Sequence, residues 1–163
     1  MTDMKDTTVE RTSEREIVAS RIVNGPPHLV YEAWTNADLF KKWWVPKSFP
    51  AVLLSCDMDV RIGGKYKLVF DFNGQKAEFF GTYLEVVPSA RLVWTNEEGG
   101  EDAAAISTVT FEARDGKTFL RMSDLHPTKE ALEASGAMDA TPETFEQLEE
   151  LIVAGLHPAR AGA

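Results

Sequence analysis

Two residues after the last apolar strand pattern could move a proton. Asp124 and His126 are spaced by two, which on an extended chain puts both side chains on one face about 7 Å apart. A carboxylate orienting an imidazole is general-base chemistry. The separation is long for a direct bond, and Pro127 starts a turn, so a turn aspartate beside a solvated histidine carries more weight. No Ser-His-Asp order and no activated nucleophile accompany the pair. Cys56 falls in a strand pattern and reads as a small buried hydrophobe. Together with the scattered His28, His126 and His157 it gives no metal-ligand spacing. Gly63-Gly64 neither opens a helix nor precedes Lys-Ser/Thr, so it is a hairpin turn and not a phosphate cradle. Arg21 shares strand parity with Ile17, Ala19 and Val23 and could point inward to a carboxylate. An edge-strand arginine with a surface partner is the favoured reading.

The stronger chemical signal is aromatic. Tyr66, Phe70, Phe72, Phe79, Trp94 and Phe145 offer large apolar faces, with polar handles on the tyrosine and tryptophan. Any one of them fills a core; together they suggest a lined pocket. Phe79-Phe80-Gly81 could carry a bulge that reverses its faces. Trp43 and Trp44 point about 100° apart on a helix, so Trp43 is assigned to the core and Trp44 to a cavity mouth. The expected ligand-binding set is Trp44, Tyr66, Leu68, Phe70, Phe72, Phe79, Trp94, Met122, Asp124, His126, Met138, Phe145 and Leu148. No catalytic residue, metal or cofactor is assigned.

The elements that must position these residues follow from periodicity. Arg15–Val23 reads as a strand, stopped by Asn24-Gly25-Pro26-Pro27. Two short helices come next. One carries Val30, Ala33 and Trp34 with Pro27 at its first turn. The other is capped by Thr35 or Asn36 and carries Leu39, Phe40 and Trp43. Pro46 and Pro50 end the helical stretch. Six strands follow: Val52–Val60, Lys65–Phe72, Lys76–Val87, Arg91–Asn96, Ala104–Ala113 and Lys117–Asp124. Asn73-Gly74 is a strong hairpin signal, because a type I′ turn needs two residues tolerant of positive φ, and Asp115-Gly116 turns the last hairpin. Glu97–Asp102 reads as an acidic loop. A last helix, Thr141–Ala154, has Thr141 as cap, Pro142 in its first turn, and an apolar stripe of Phe145, Leu148, Leu151 and Ile152. Glu146, Gln147, Glu149 and Glu150 are expected outside. The predicted architecture is α+β: a curved seven-stranded antiparallel sheet around a long C-terminal helix, with two short helices after the first strand. Residues 14–155 form the domain; 1–13 read as a disordered tail and 156–163 as a C-terminal tail.

Composition narrows the partners. The chain of 163 residues has 17 basic and 26 acidic residues, a formal net charge of −9. Nucleic acid and anionic membranes would repel it. One cysteine forms no internal disulfide, no stretch approaches the roughly 20 apolar residues of a membrane span, and the N-terminus lacks an apolar core. These point to the cytoplasm.

Five stretches in order resemble a known family. They are Arg21-Ile-Val-Asn-Gly-Pro-Pro with Val30-Tyr-Glu-Ala-Trp-Thr and Lys42-Trp-Trp-Val-Pro; Cys56-Asp-Met-Asp-Val-Arg-Ile-Gly-Gly-Lys-Tyr; Gly81-Thr-Tyr-Leu-Glu-Val-Val-Pro; Arg91-Leu-Val-Trp-Thr; and Thr108-Val-Thr-Phe-Glu. They are similar to the bacterial relatives of the heat-shock-protein-90 ATPase activator C-terminal domain, a branch of the START-like (SRPBCC) superfamily. The family's Gly-Trp pair near the last helix is replaced by Gly136-Ala-Met. The resemblance implies a helix-grip fold with an internal cavity, and no single activity, because function lives in the site. Three expectations follow. The first is non-catalytic binding of a small, mostly apolar molecule. The second is interaction with a chaperone in a stress response. The third is a cyclase or hydrolase using Asp124 and His126. The absence of a convincing acid–base pair favours the binder over the enzyme. A homodimer is a further expectation, as single-domain members of such families often pair.

Overall fold

The computed structural model describes residues 7–97, 104–135 and 137–155, with the backbone alone for 135 and 137–140. Residues 1–6, 98–103, 136 and 156–163 lie outside the described residues, and with them most of the expected acidic loop Glu97–Asp102 and the expected C-terminal tail. Among the described residues, eight antiparallel strands form one curved sheet: β1 (Thr8–Arg11), β2 (Glu16–Val23), β3 (Ala51–Met58), β4 (Lys65–Phe72), β5 (Gln75–Val87), β6 (Arg91–Asn96), β7 (Ala105–Arg114) and β8 (Lys117–Leu125). Their spatial order is β1-β2-β8-β7-β6-β5-β4-β3. From β3 to β8 each strand pairs antiparallel with its successor, as alternation of wet and dry faces allows. Two of the turns between them have the expected backbone, with Asn73 and Gly74 at φ 53° and 93°, and Asp115 and Gly116 at 52° and 80°.

One excursion breaks this meander. Between β2 and β3 the chain crosses from one side of the sheet to the other through α1 (Pro27–Thr35) and α2 (Ala37–Trp43). Pro27 occupies the first turn of α1, where its missing N–H costs nothing. The Asn36 side chain accepts from the Asp38 and Leu39 N–H groups and starts α2. The stripes Val30/Ala33/Trp34 and Leu39/Phe40/Trp43 are buried.

The sequence-based strand count is corrected from seven to eight. Thr8–Arg11, assigned to the disordered tail, pairs antiparallel with β2. A polar segment is enough here, because it satisfies the open backbone edge of β2 and needs no alternating apolar face. Two corrections apply near the end of the chain. A short helix, α3 (Lys129–Ser135), precedes the last one, and its first turn is tied by the Ala131 N–H donating to Thr128 Oγ at 3.0 Å. The last helix, α4, runs Ala137–Ala154, so Pro142 lies inside it. It costs the helix one hydrogen bond near its start. Gly155, at φ 74°, ends α4.

Helix α4 packs on β1, β2, α1 and α2, while α1 packs on β7 and β8 and α2 on β3. Phe145, Leu148 and Leu151 are buried in the core. Gln147 and Glu149, expected outside, are also buried, because each has polar partners inward. Arg21 explains the second. It is 2% exposed, and its Nε donates to Glu149 Oε1 at 2.7 Å and its Nη1 to Thr7 Oγ at 2.9 Å. The inward reading of Arg21 therefore replaces the edge-strand reading. Among the described residues no helix is long and apolar enough to cross a membrane.

Candidate ligand cavity

The helices cover one side of the concave face more tightly than the other. Helix α4 lies toward β1 and β2, and the β3–β6 half is roofed by α2 and the segment after it. A cavity of about 310 Å³ remains between them, at the small end of the range for ligand pockets. Its floor is the dry face of β4, where Tyr66, Leu68, Phe70 and Phe72 alternate with Lys65, Lys67 and Asp71. Phe79 and Tyr83 of β5, Trp94 of β6 and Met122 of β8 extend the floor, while Trp34, Phe40, Trp44 and Phe145 form the roof. Phe40 and Trp44 stack with ring centroids 4.7 Å apart, which turns Trp44 over the cavity while Trp43, 0% exposed, stays in the core.

Local geometry keeps these faces in phase. Phe79, Phe80 and Gly81 pair in unbroken register with Leu68, Lys67 and Tyr66. The suspected bulge is absent there, and Phe79 faces the cavity. The register shifts occur at Leu53/Ser55 and at Tyr83/Glu85. Gly81 is required, because a Cβ at this position would sit 1.8 Å from the Thr95 carbonyl oxygen and 2.8 Å from the Tyr66 ring.

The roof is fastened by side chains of α4, Gln147 first. Gln147 Nε2 donates to the carbonyls of Trp43 and Val45, each at 2.9 Å, and its Oε1 accepts from the Lys47 N–H at 2.9 Å. Glu143 adds bonds from the Ser48 N–H at 3.1 Å and from Ser48 Oγ at 2.5 Å. Phe49, 44% exposed, stands at the mouth with Val45 and Pro46.

One end of the wall is polar. Asp124 and Ser107 are direct partners on β8 and β7, and Ser107 Oγ donates to Asp124 Oδ1 at 2.5 Å. Asn96 Nδ2 donates to Ser107 Oγ at 3.0 Å. The Tyr66 hydroxyl lies 2.9 Å from both Asn96 Oδ1 and the Thr95 carbonyl. Tyr66, Asn96 and Asp124 all line the cavity. Burial raises the Asp124 pKa above the ordinary aspartate value, against the Ser107 hydrogen bond and the nearby His126. Burial lowers that of His126, with Asp124 opposing. The indole N–H of Trp34 is buried among aromatic rings without a hydrogen-bond partner.

Trp44, Tyr66, Leu68, Phe70, Phe72, Phe79, Trp94, Met122, Asp124 and Phe145 thus stand in one wall. His126 does not. It follows the end of β8, where its N–H donates to the Arg15 carbonyl at 2.7 Å, and its Nε2 is buried without a partner. Leu148 is fully buried in the core beneath the wall. The Met138 side chain lies outside what is described. Trp34, Phe40, Tyr83 and Asn96 were not assigned to the site from sequence. Strand parity could have found two of them, since Tyr83 shares parity with Phe79 and Asn96 with Trp94. Among the described residues no three of His, Cys, Asp and Glu gather to hold a metal ion.

The family model described as Activator of Hsp90 ATPase homolog 1-like protein matches residues 24–152. The chain belongs to that family. Among solved structures, the chain is similar to protein NE0264 of Nitrosomonas europaea, with a TM-score of 0.78 and 26% identity over 89% of this chain and 98% of that one. Protein CV1439 of Chromobacterium violaceum is similar at 28% identity and TM-score 0.73, over 85% and 97% of the two chains. A protein of Rhodobacter sphaeroides shares the fold at TM-score 0.80 with 19% identity, over 93% and 99%. No curated protein matches this sequence.

Proposed function

We propose that this activator-homolog-like protein binds one small, mostly apolar molecule in the cavity and does no covalent chemistry on it. The observation that carries the reading is the cavity of about 310 Å³ with aromatic walls and one polar end. Apolar contacts supply affinity in such a site, and a few placed polar groups supply orientation. The non-catalytic part is supported by the position of His126. It stands outside the wall, and Asp124 is bonded to Ser107 instead.

A thermal-shift series with aromatic, polyketide and fatty-acid probes tests the reading. A molecule that binds only the folded chain raises its melting temperature with ligand concentration, by about 2.7 kcal/mol of added stability at a hundredfold excess over Kd. A concentration-dependent rise is expected with compact aromatics. No shift with any class at millimolar probe would sink it.

A further inference from the structure

The polar end of the cavity has a direction. Two of its hydrogen bonds run in series toward one terminus, beside the bonds of the Tyr66 hydroxyl to the Thr95 carbonyl and Asn96 Oδ1. Asn96 donates to Ser107, and Ser107 donates to Asp124 Oδ1. Nothing passes the bond onward. Among the described residues Asp124 Oδ1 has the Ser107 hydroxyl, and Oδ2 has no hydrogen-bond partner. No lysine or arginine lines the cavity. His126, the one titratable group acting on Asp124, makes no hydrogen bond to it. Oδ2 opens on the cavity and is not sealed in, so a ligand that supplies a donor there exchanges a hydrogen bond with solvent for a charge-assisted one of its own.

The fixed neighbours set the shape of that ligand. Trp94 faces Ser107 across the β6–β7 pair, and Met122 precedes Asp124 by two on β8. Both line the cavity beside the carboxyl group. Above them stand the rings of Trp34 and Phe145. Trp34 touches both Trp94 and Phe145, and the aromatic surface they present to the cavity favours a flat ring system packed against it.

We propose that Asp124 is the polar anchor of the cavity, and that the ligand is a flat, apolar, aromatic molecule donating one hydrogen bond from a terminal hydroxyl or amino group to Asp124 Oδ2. This rests on the cavity-binding reading and adds the chemistry of its occupant. Ser107 and Asn96 are positioning residues that hold the carboxyl group by its other oxygen.

The test compares four probes of nearly one shape: 2-naphthol, 2-naphthylamine, 2-methylnaphthalene and 2-methoxynaphthalene. Binding is measured by ligand-observed NMR titration against the full chain. The two donors should bind about ten- to a hundredfold more tightly than the methyl and methoxy compounds. The hydroxyl and amine arms show which donor the site prefers. In Asp124→Asn the preference for a donor should fall to within about threefold, because the amide offers a donor of its own. Ser107→Ala, which leaves the carboxylate in place but unheld, should weaken 2-naphthol binding and leave 2-methylnaphthalene unchanged. Equal affinity for all four in the unaltered protein overturns the anchor and leaves the cavity reading standing. A donor preference that survives Asp124→Asn undiminished also overturns it. Failure of all four to bind at millimolar concentration removes both.

Discussion

Arg21 and Glu149 are a charged pair taken out of water, with side chains 0% and 9% exposed. Glu149 Oε2 also accepts the Asn24 N–H at 3.1 Å, so one carboxylate ties β2, the turn after it and α4 together. Such a pair is weak evidence for net stability, but removing one member strands the other. Arg21→Met should destabilise the fold by about 3–5 kcal/mol, read by denaturant titration; a loss under about 1 kcal/mol would mean Glu149 is solvated. His126 carries a different prediction. Burial lowers its folded pKa below the ordinary 6.5, so as pH falls through 6.5 the unfolded chain takes a proton that the folded one refuses. Its contribution to stability is complete above 6.5 and is lost as pH drops toward the folded value. The difference in unfolding free energy between wild type and His126→Gln should therefore slope in the window below pH 6.5 and be flat above it. A flat difference throughout would place His126 in solvent. Both residues were visible in the sequence, but their surroundings were not. Parity allows Arg21 to point inward, but the sequence alone favours the edge-strand reading over it, because its partner 128 residues away on α4 has no local signature.

At the scale of elements, the strand faces were the most legible part, because a period of two depends on the chain alone. The dry face of β4 and the two Asn-Gly and Asp-Gly hairpins stand as expected. What periodicity could not reveal was contact made by polar residues. β1 buries almost no apolar side chain, so it left no pattern. Gln147 reads as a solvent-facing residue on α4 until the carbonyls of Trp43 and Val45 are seen beneath it. Its three bonds make it a fastening of the cavity roof. Gln147→Leu leaves those carbonyls and the Lys47 N–H without partners, and should raise hydrogen exchange at Lys47 by about tenfold while exchange in β7 and β8 stays unchanged. Uniform acceleration across the sheet would show a global effect instead. Gly81 makes the complementary point in β5. Gly81→Ala forces a methyl group against the Thr95 carbonyl, and should cost more than the usual surface substitution, about 2 kcal/mol or above.

The whole molecule is shaped by a mismatch between one helix and a broad sheet. Eight curved strands present more concave face than α4 can cover, and the excess lies over β3 to β6, where α2 and the Trp44–Pro50 segment stand off from the floor. Filling that space with protein would bury more apolar surface and raise stability, by the same physics that makes cavities costly. The space is instead walled with rings, ended by a carboxyl group and opened at Phe49. Ala51, at the start of β3, lines it and is partly buried, so it is a place to reverse the trade. Ala51→Trp should project an indole into the chamber and raise the melting temperature by a few degrees, since a gain of about 1 kcal/mol moves a domain of this size by roughly 2–4 °C. Binding of 2-naphthol should fall at least tenfold in the same variant, while far-ultraviolet circular dichroism stays that of the unaltered protein. Gained stability with undiminished binding would move the ligand site out of this cavity. Lost stability with lost binding would mean that the chamber is already full. Stability rising as binding falls is the outcome that links the empty volume to function.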